Sequence, residues 1–227
     1  MTLTVLIAAF NERATIEQLM GLVLAQEIVT EVIVTDDGST DGTREWLETA
    51  AQREPRVTVL LHPHNQGKGA AIRAAIPHAT SDICIIQDAD LEYFPTDYPA
   101  VIAPIISGQT RVVYGSRVLC EENVQRLDKF RLGSAVVTQA ANILYSTQLT
   151  DEPTCYKAFE TRFLKSLPLE ANGFELCPEL TAWSRKNGEQ IIEVPIRYIG
   201  RSVKDGKKIR WQDGVRAVWT LLRLRLR

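Results

Sequence analysis

Residues 3–10 (LTVLIAAF) are an apolar run broken only by Thr4, the pattern of a strand buried on both faces. Asn11 and Glu12 follow, and a helical spacing takes over across about residues 14–26. The alternation then repeats. Residues 31–35 (EVIVT) read as a second strand, ending in the turn Asp36-Asp37-Gly38-Ser39-Thr40-Asp41-Gly42, with helical periodicity over 43–53. Residues 57–62 (VTVLLH) read as a third strand, 65–69 as a loop, 70–79 as a helix of small residues, and 82–87 as a fourth strand. This β-α-β-α-β-α-β order predicts a parallel sheet with right-handed crossovers.

The second half is less regular. Residues 111–115 (RVVYG) read as a strand that ends at Ser116 and Arg117, 130–148 as a helix, and 157–167 as a passage of strand or helix. Residues 175–185 read as a helix with Pro178 tolerated near its start. Residues 190–198 (QIIEVPIRY) read as a strand that Pro195 assigns to a sheet edge. No repeat or low-complexity linker divides the chain, and 227 residues suffice for one large domain.

Apolar residues make up 45% and charged residues 24%, as in an ordinary globular protein, and the net charge of −2 argues against a nucleic-acid partner. The charge is uneven, however. Residues 197–227 hold ten Lys or Arg against Asp205 and Asp213 alone, which points to an anionic surface or substrate near the C-terminus. Cys84, Cys120, Cys155 and Cys177 are widely spaced and fit buried thiols in a reduced cytosolic protein better than a disulfide framework. His62 and His64 form an H-x-H with only His78 elsewhere, so a loop is the expectation and not a transition-metal site. No signal peptide is expected, and no run of about 18 apolar residues is present to span a bilayer.

Ligands of parallel sheets bind beyond the carboxyl ends of the strands. Each polar cluster of the first half falls at such an end: Asn11-Glu12, Asp36-Asp37, 65–69, and the acidic segment Asp88-Ala89-Asp90-Leu91-Glu92. Carboxylates so placed are costly without a cation, and hard Mg²⁺ or Mn²⁺ is commonly shared between carboxylates and substrate phosphates. A solvated acidic loop is the other reading of the same spacing. Together the four ends describe one composite nucleotide site.

Further segments complete a set: A-A-F-N-E (8–12), V-T-D-D-G-S-T-D-G-T (34–43), N-Q-G-K-G-A-A-I (65–72), Q-D-A-D-L-E (87–92), G-S-R (115–117), Y-K-A-F (156–159), G-F-E-L-C-P-E-L (173–180), E-V-P-I-R-Y (193–198) and G-K-K-I-R-W-Q-D-G (206–214). In this order they resemble glycosyltransferase family 2 enzymes of the GT-A fold, in the dolichol-phosphate mannose synthase-like group. The resemblance implies an α/β, Rossmann-like, mixed but mainly parallel sheet flanked by helices in a single domain. Within it, 1–110 would form the nucleotide-sugar half, 111–213 the acceptor half and 214–227 a basic amphipathic helix. It implies inverting, metal-dependent transfer of a hexose from a nucleoside-diphosphate sugar, of GDP-mannose or UDP-glucose type, to a polyprenyl or dolichyl phosphate. A cytoplasmic location follows, with peripheral contact at the membrane face. Two positions depart from the family pattern: Ala8 or Ala9 stands where a proline is usual, and Glu92 where glutamine is frequent.

Carried onto this chain, the resemblance gives donor contacts at Ala8, Ala9, Asn11, Glu12, Asp37, Gly67, Lys68, Asp88 and Ala89. Asp88 and Asp90 would hold the metal with Glu92 as a further ligand. Asp37 would read the base; capping of the helix near Thr43 is its other reading, and Asp41 shares that one. Arg117, Arg131 with Ser134, and Arg201 with Lys204 would receive an acceptor phosphate, since arginine binds phosphate through paired N–H groups. An ionised phosphate needs positioning cations and no strong base. Were the acceptor a hydroxyl, Glu175 and Glu179, four apart on one helix face, would be the candidate bases; carboxylates favoured by the helix dipole are the alternative. The catalytic set is then Asp90, Arg117, Glu175 and Glu179. In the last helix Val215, Val218, Trp219, Leu222 and Leu226 share a face, with Arg216, Arg223 and Arg227 opposite; the pattern suits a membrane interface or packing on the body. The remaining function classes are transfer to a soluble hydroxyl acceptor, and a nucleotidyltransferase or non-catalytic nucleotide-sugar binder.

Overall fold

The computed structural model describes residues 1–123, 130–200 and 211–227, and only the backbone of 130–132. Seven strands form one sheet in the order β3-β2-β1-β4-β6-β5-β7. β1 (Leu3–Ala9), β2 (Val29–Asp36), β3 (Val57–Leu61) and β4 (Ile83–Asp88) are mutually parallel, as the alternation of strands and helices predicts. β5 (Val112–Ser116) pairs parallel with β7 (Ile191–Pro195), which is the edge strand that Pro195 foretells. β6 (Lys157–Glu160) runs antiparallel between β4 and β5 and joins the two halves. The 157–167 passage is thus both strand and helix, because α6 (Thr161–Ser166) follows β6 directly.

The other helices are α1 (Ile16–Leu24), α2 (Thr43–Arg53), α3 (Lys68–Ala75), α4 (Tyr98–Ile106), α5 (Phe130–Tyr145), α7 (Leu176–Lys186) and α8 (Trp211–Leu226). α4 has no counterpart in the sequence reading. Its Pro99 and Pro104 mask the periodicity, yet Tyr98, Val101, Ile102 and Ile105 are buried at helical spacing. The main core lies on both faces of β1 and β4, where Leu3, Val5, Leu6, Ile7, Ile83 and Ile85 are excluded from solvent. A second, smaller core joins Val137, Ala141 and Tyr145 of α5 to Ala182 of α7 and to Ala217, Leu221 and Leu224 of α8.

The pairing register fixes the site. Ala9 lies opposite Asp36 and Ala8 opposite Asp88, so β1, β2 and β4 end side by side.

Candidate functional site at the carboxyl ends of the strands

The loop after β1 turns sharply at Asn11, whose φ of 51° is a left-handed conformation that asparagine tolerates. Asn11 N–H donates to Ser39 Oγ at 2.9 Å, and its Oδ1 accepts Thr40 N–H at 2.8 Å, tying the loop to the turn after β2. Glu12 N–H donates to Thr43 Oγ1, and Thr15 Oγ1 bridges Glu12 to the Ala89 carbonyl at 2.7 Å. Three strand-end loops are thereby locked together. Asp41, not Asp37, serves the start of α2, accepting Thr43 N–H at 3.0 Å and Thr43 Oγ1 at 2.6 Å. Burial alone would raise its pKa, but the bonds from Thr43 and Arg13 N–H win and lower it.

Asp37 is buried and does a third thing. Its Oδ1 accepts Gln66 N–H at 2.9 Å and meets His62 Nδ1 at 2.7 Å, while Oδ2 accepts Gly67 N–H at 2.8 Å. It therefore shapes the 65–69 loop directly. Gly67 (φ 102°) and Gly69 press on the backbone of 171–173; a Cβ at Gly69 would lie 2.5 Å from Ala171 O, so glycine is required there.

Lys68, the first residue of α3, reaches across to the acidic segment: its Nζ lies 2.5 Å from Asp88 Oδ1 and 3.3 Å from Cys155 Sγ. Burial works against its charge, but Asp88, together with the Cys155 and Cys177 sulfurs, outweighs it, and its pKa stands well above the ordinary lysine value. The Cys155 thiol is held neutral, its pKa pushed far up by burial first and by Asp88 next. Asp90 Oδ1 accepts Glu92 N–H at 3.2 Å. The Glu92 carboxylate is buried and accepts Tyr198 OH at 2.6 Å. Among the described residues, no group of three or more His, Cys, Asp or Glu is arranged to hold a metal. Mg²⁺ or Mn²⁺ carried with a diphosphate requires one or two protein carboxylates and no protein cage. Asp88 and Asp90 fit that requirement.

Beyond β5, Arg117 makes a two-pronged pair with Asp151, with Nε–Oδ2 and Nη2–Oδ1 both 2.7 Å, and its N–H donates to the same carboxylate. Asp151 is buried; burial pushes its pKa up, but Arg117 outweighs this and holds it below the usual range. The guanidinium also stands 5.0 Å from the Tyr198 ring centre. Tyr198 therefore links Arg117 to Glu92. The pairing uses two of the five guanidinium N–H donors, leaving three outside it.

The two α7 glutamates separate in role. Glu179 is excluded from solvent and accepts Glu170 N–H at 2.9 Å and Ala171 N–H at 2.8 Å, so it holds the segment that packs on Gly69; burial raises its pKa. Glu175 is half-buried at the helix start and accepts Gly173 N–H at 3.0 Å. Ser134 lies half-buried in the first turns of α5. The side chain of Arg131, and all of Arg201 and Lys204, lie outside the described residues. Sequence reasoning missed His62, taken there as a loop residue, and Asp151 and Cys155, whose places depend on β6 entering the sheet.

A mainly parallel sheet with polar, acidic and glycine-containing loops gathered at the carboxyl ends of its strands is the architecture of the GT-A glycosyltransferases. The chain belongs to the family described as glycosyl transferase family 2, whose model matches residues 4–167, and it is a glycosyltransferase. It is similar to an undecaprenyl-phosphate mannosyltransferase of Micrococcus luteus, 26% identical with 100% of this chain and 99% of that protein aligned. A UDP-N-acetylglucosamine–dolichyl-phosphate N-acetylglucosaminyltransferase of Methanococcus voltae is 27% identical over 97% and 95% of the two chains. A dolichol-phosphate mannosyltransferase of Pyrococcus furiosus is 26% identical, covering 92% of this chain and 61% of that one. In fold, the chain is similar to glucosyl-3-phosphoglycerate synthase of Mycobacterium tuberculosis solved with Mn²⁺, UDP and phosphoglyceric acid. That likeness has a TM-score of 0.71 and 21% identity over 99% of this chain and 78% of that chain. The same enzyme has also been solved with Mg²⁺ and UDP.

Proposed function

We propose that this protein transfers a hexose, with inversion, from a nucleoside-diphosphate sugar to a polyprenyl phosphate held in a membrane. The carrying observation is the line Glu92–Tyr198–Arg117, which sets a guanidinium with donors outside its Asp151 pair beside the acidic segment. The relatives named for undecaprenyl- and dolichyl-phosphate transfer support the acceptor class. The donor diphosphate lies against Lys68 and the 65–69 loop that Asp37 shapes, with Asn11 on the base side. Asp88 and Asp90 would hold Mg²⁺ or Mn²⁺, which neutralises charge on the departing nucleoside diphosphate. One acceptor-phosphate oxygen forms the new bond to the anomeric carbon as the sugar–diphosphate bond breaks. The bonding pair leaves with the nucleoside diphosphate. A phosphate monoester, with its second pKa near 6, is ionised at neutral pH and gives up no proton in this step. Arg117 orients it and offsets its charge.

A hydroxyl acceptor is the second reading. Glu175 favours it, since a half-buried carboxylate at the start of α7 stands beside the segment packed on the donor loop. Thermal-shift screening of GDP- and UDP-sugars with Mn²⁺, followed by transfer assays with undecaprenyl phosphate and with soluble sugars, tests the choice. The proposal expects metal-dependent stabilisation by one nucleotide class and product only on the lipid phosphate. Product only on a hydroxyl acceptor would replace it.

A further inference from the structure

Helix α8 has two apolar faces. Ala217, Leu221 and Leu224, with Thr220, are buried against α5 and α7. The other face carries Trp211, Val215, Trp219, Leu222 and Leu226 at spacings of four, four, three and four, which places them in one stripe. That stripe is open to solvent: Trp211 is 78% exposed, Val215 59%, Trp219 64% and Leu226 88%. Val218, assigned by the sequence to the same face, instead leans into the small core. The arginines expected opposite the stripe lie at its flanks, because the opposite side is occupied by packing. Over the helix length the stripe runs roughly 22 Å at 1.5 Å per residue.

A neighbouring helix extends the pattern. α5, which packs beside α8, exposes Val136 and Ile143, seven residues apart and hence on one face, together with the uncharged Gln139. Arg216, Arg223 and Arg225 are exposed, as is Arg227, which pairs with Glu170 at 3.0 Å; Asp213 is the one carboxylate on α8.

We infer that this stripe docks on the surface of an anionic lipid bilayer, the tryptophans and leucines entering the headgroup boundary and the arginines meeting lipid phosphates. The chemistry matches an interfacial helix: a large apolar face, basic flanks and tryptophan at the boundary. A second copy of the chain is a poorer occupant, since pairing the stripe with itself would bring rows of arginine together. This rests on the proposed lipid acceptor for its purpose only. Binding to vesicles is measurable without any transfer.

The test uses the full chain with sucrose-loaded vesicles of phosphatidylcholine, with and without 30% phosphatidylglycerol. The expected result is sedimentation with the anionic vesicles at low salt and release at 1 M salt, where the Debye length falls to about 3 Å. Tryptophan emission should shift to the blue on binding. Trp211→Ser/Trp219→Ser should weaken binding tenfold or more with an unchanged circular dichroism spectrum, because both side chains are exposed. Arg216→Glu/Arg223→Glu should abolish the preference for anionic lipid. Wild-type protein left in the supernatant would overturn the inference, as would unaltered binding in both variants. A dimer that the tryptophan variant dissolves would overturn it in favour of a second copy. Vesicle binding without transfer to any lipid phosphate would sink the acceptor assignment and leave the docking surface standing.

Discussion

Asp90→Asn is expected to cut sugar transfer by at least about 10²-fold in a protein that remains folded. Asparagine matches aspartate in shape, and its carbonyl oxygen still accepts Glu92 N–H, the bond Asp90 makes now at 3.2 Å. What it lacks is the charge. Mg²⁺ and Mn²⁺ take anionic oxygen in preference to a neutral amide. Charge stabilisation by a catalytic metal is worth several kcal/mol, so kcat/KM should fall by at least about 10²–10³-fold. Metal-dependent thermal stabilisation by the donor should vanish with it. Transfer assays over a Mn²⁺ titration, with circular dichroism as the fold control, decide the matter. Undiminished turnover in EDTA, or in the variant, would show that the acidic segment carries no metal.

Replacing Arg117 should damage transfer to a lipid phosphate far more than Glu175→Gln does. The substitution must respect the fold, because Asp151 is buried against the guanidinium. Arg117→Ala strands that carboxylate, and breaking one side of a buried pair costs about 3–5 kcal/mol. Arg117→Lys keeps a cation there but loses the planar two-pronged geometry. We expect Arg117→Lys to fold, with kcat/KM for the phosphate acceptor lowered about 10²-fold, and Glu175→Gln to stay within about threefold of wild type, since an ionised phosphate needs charge complementarity and no proton removal. A dead Glu175→Gln enzyme beside an active Arg117→Lys enzyme would reverse the assignment and indicate a hydroxyl acceptor.

Much of this was legible from residue patterns, and for a physical reason. The buried strands β1, β2 and β4 write themselves as apolar runs and the partly exposed edge strand β3 as a short β-branched one, and their shared direction places Asn11, Asp37, Lys68 and Asp88 at one edge. Two kinds of information are not local. α4 hides behind its prolines, and its helical burial becomes visible only against the sheet. The partners of the site residues come from far along the chain: Asp151 for Arg117, Tyr198 for Glu92, the backbone of Gln66 and Gly67 for Asp37. A carboxylate at a strand end can face a ligand or tether a loop with the same sequence signature. Asp37 and Glu179 tether loops, and only the hydrogen-bond partners distinguish the two uses.

The interposed strand β6 also sets an order of assembly. β4 is complete by Asp88, yet beyond β1 its only partner is β6, which begins at Lys157. β5 is made earlier than β6 and has no neighbour but β6 and β7. As the chain leaves the ribosome, β1 to β4 can pair through short crossovers while the open flank of β4 waits for a distant segment. Closing that long loop carries an entropic penalty before its contacts repay it. Amides of β5 should accordingly gain protection later than those of β1 and β2 during refolding, which pulse-labelled hydrogen exchange would record. Simultaneous protection of β1 and β5 would mean that the sheet closes in one step.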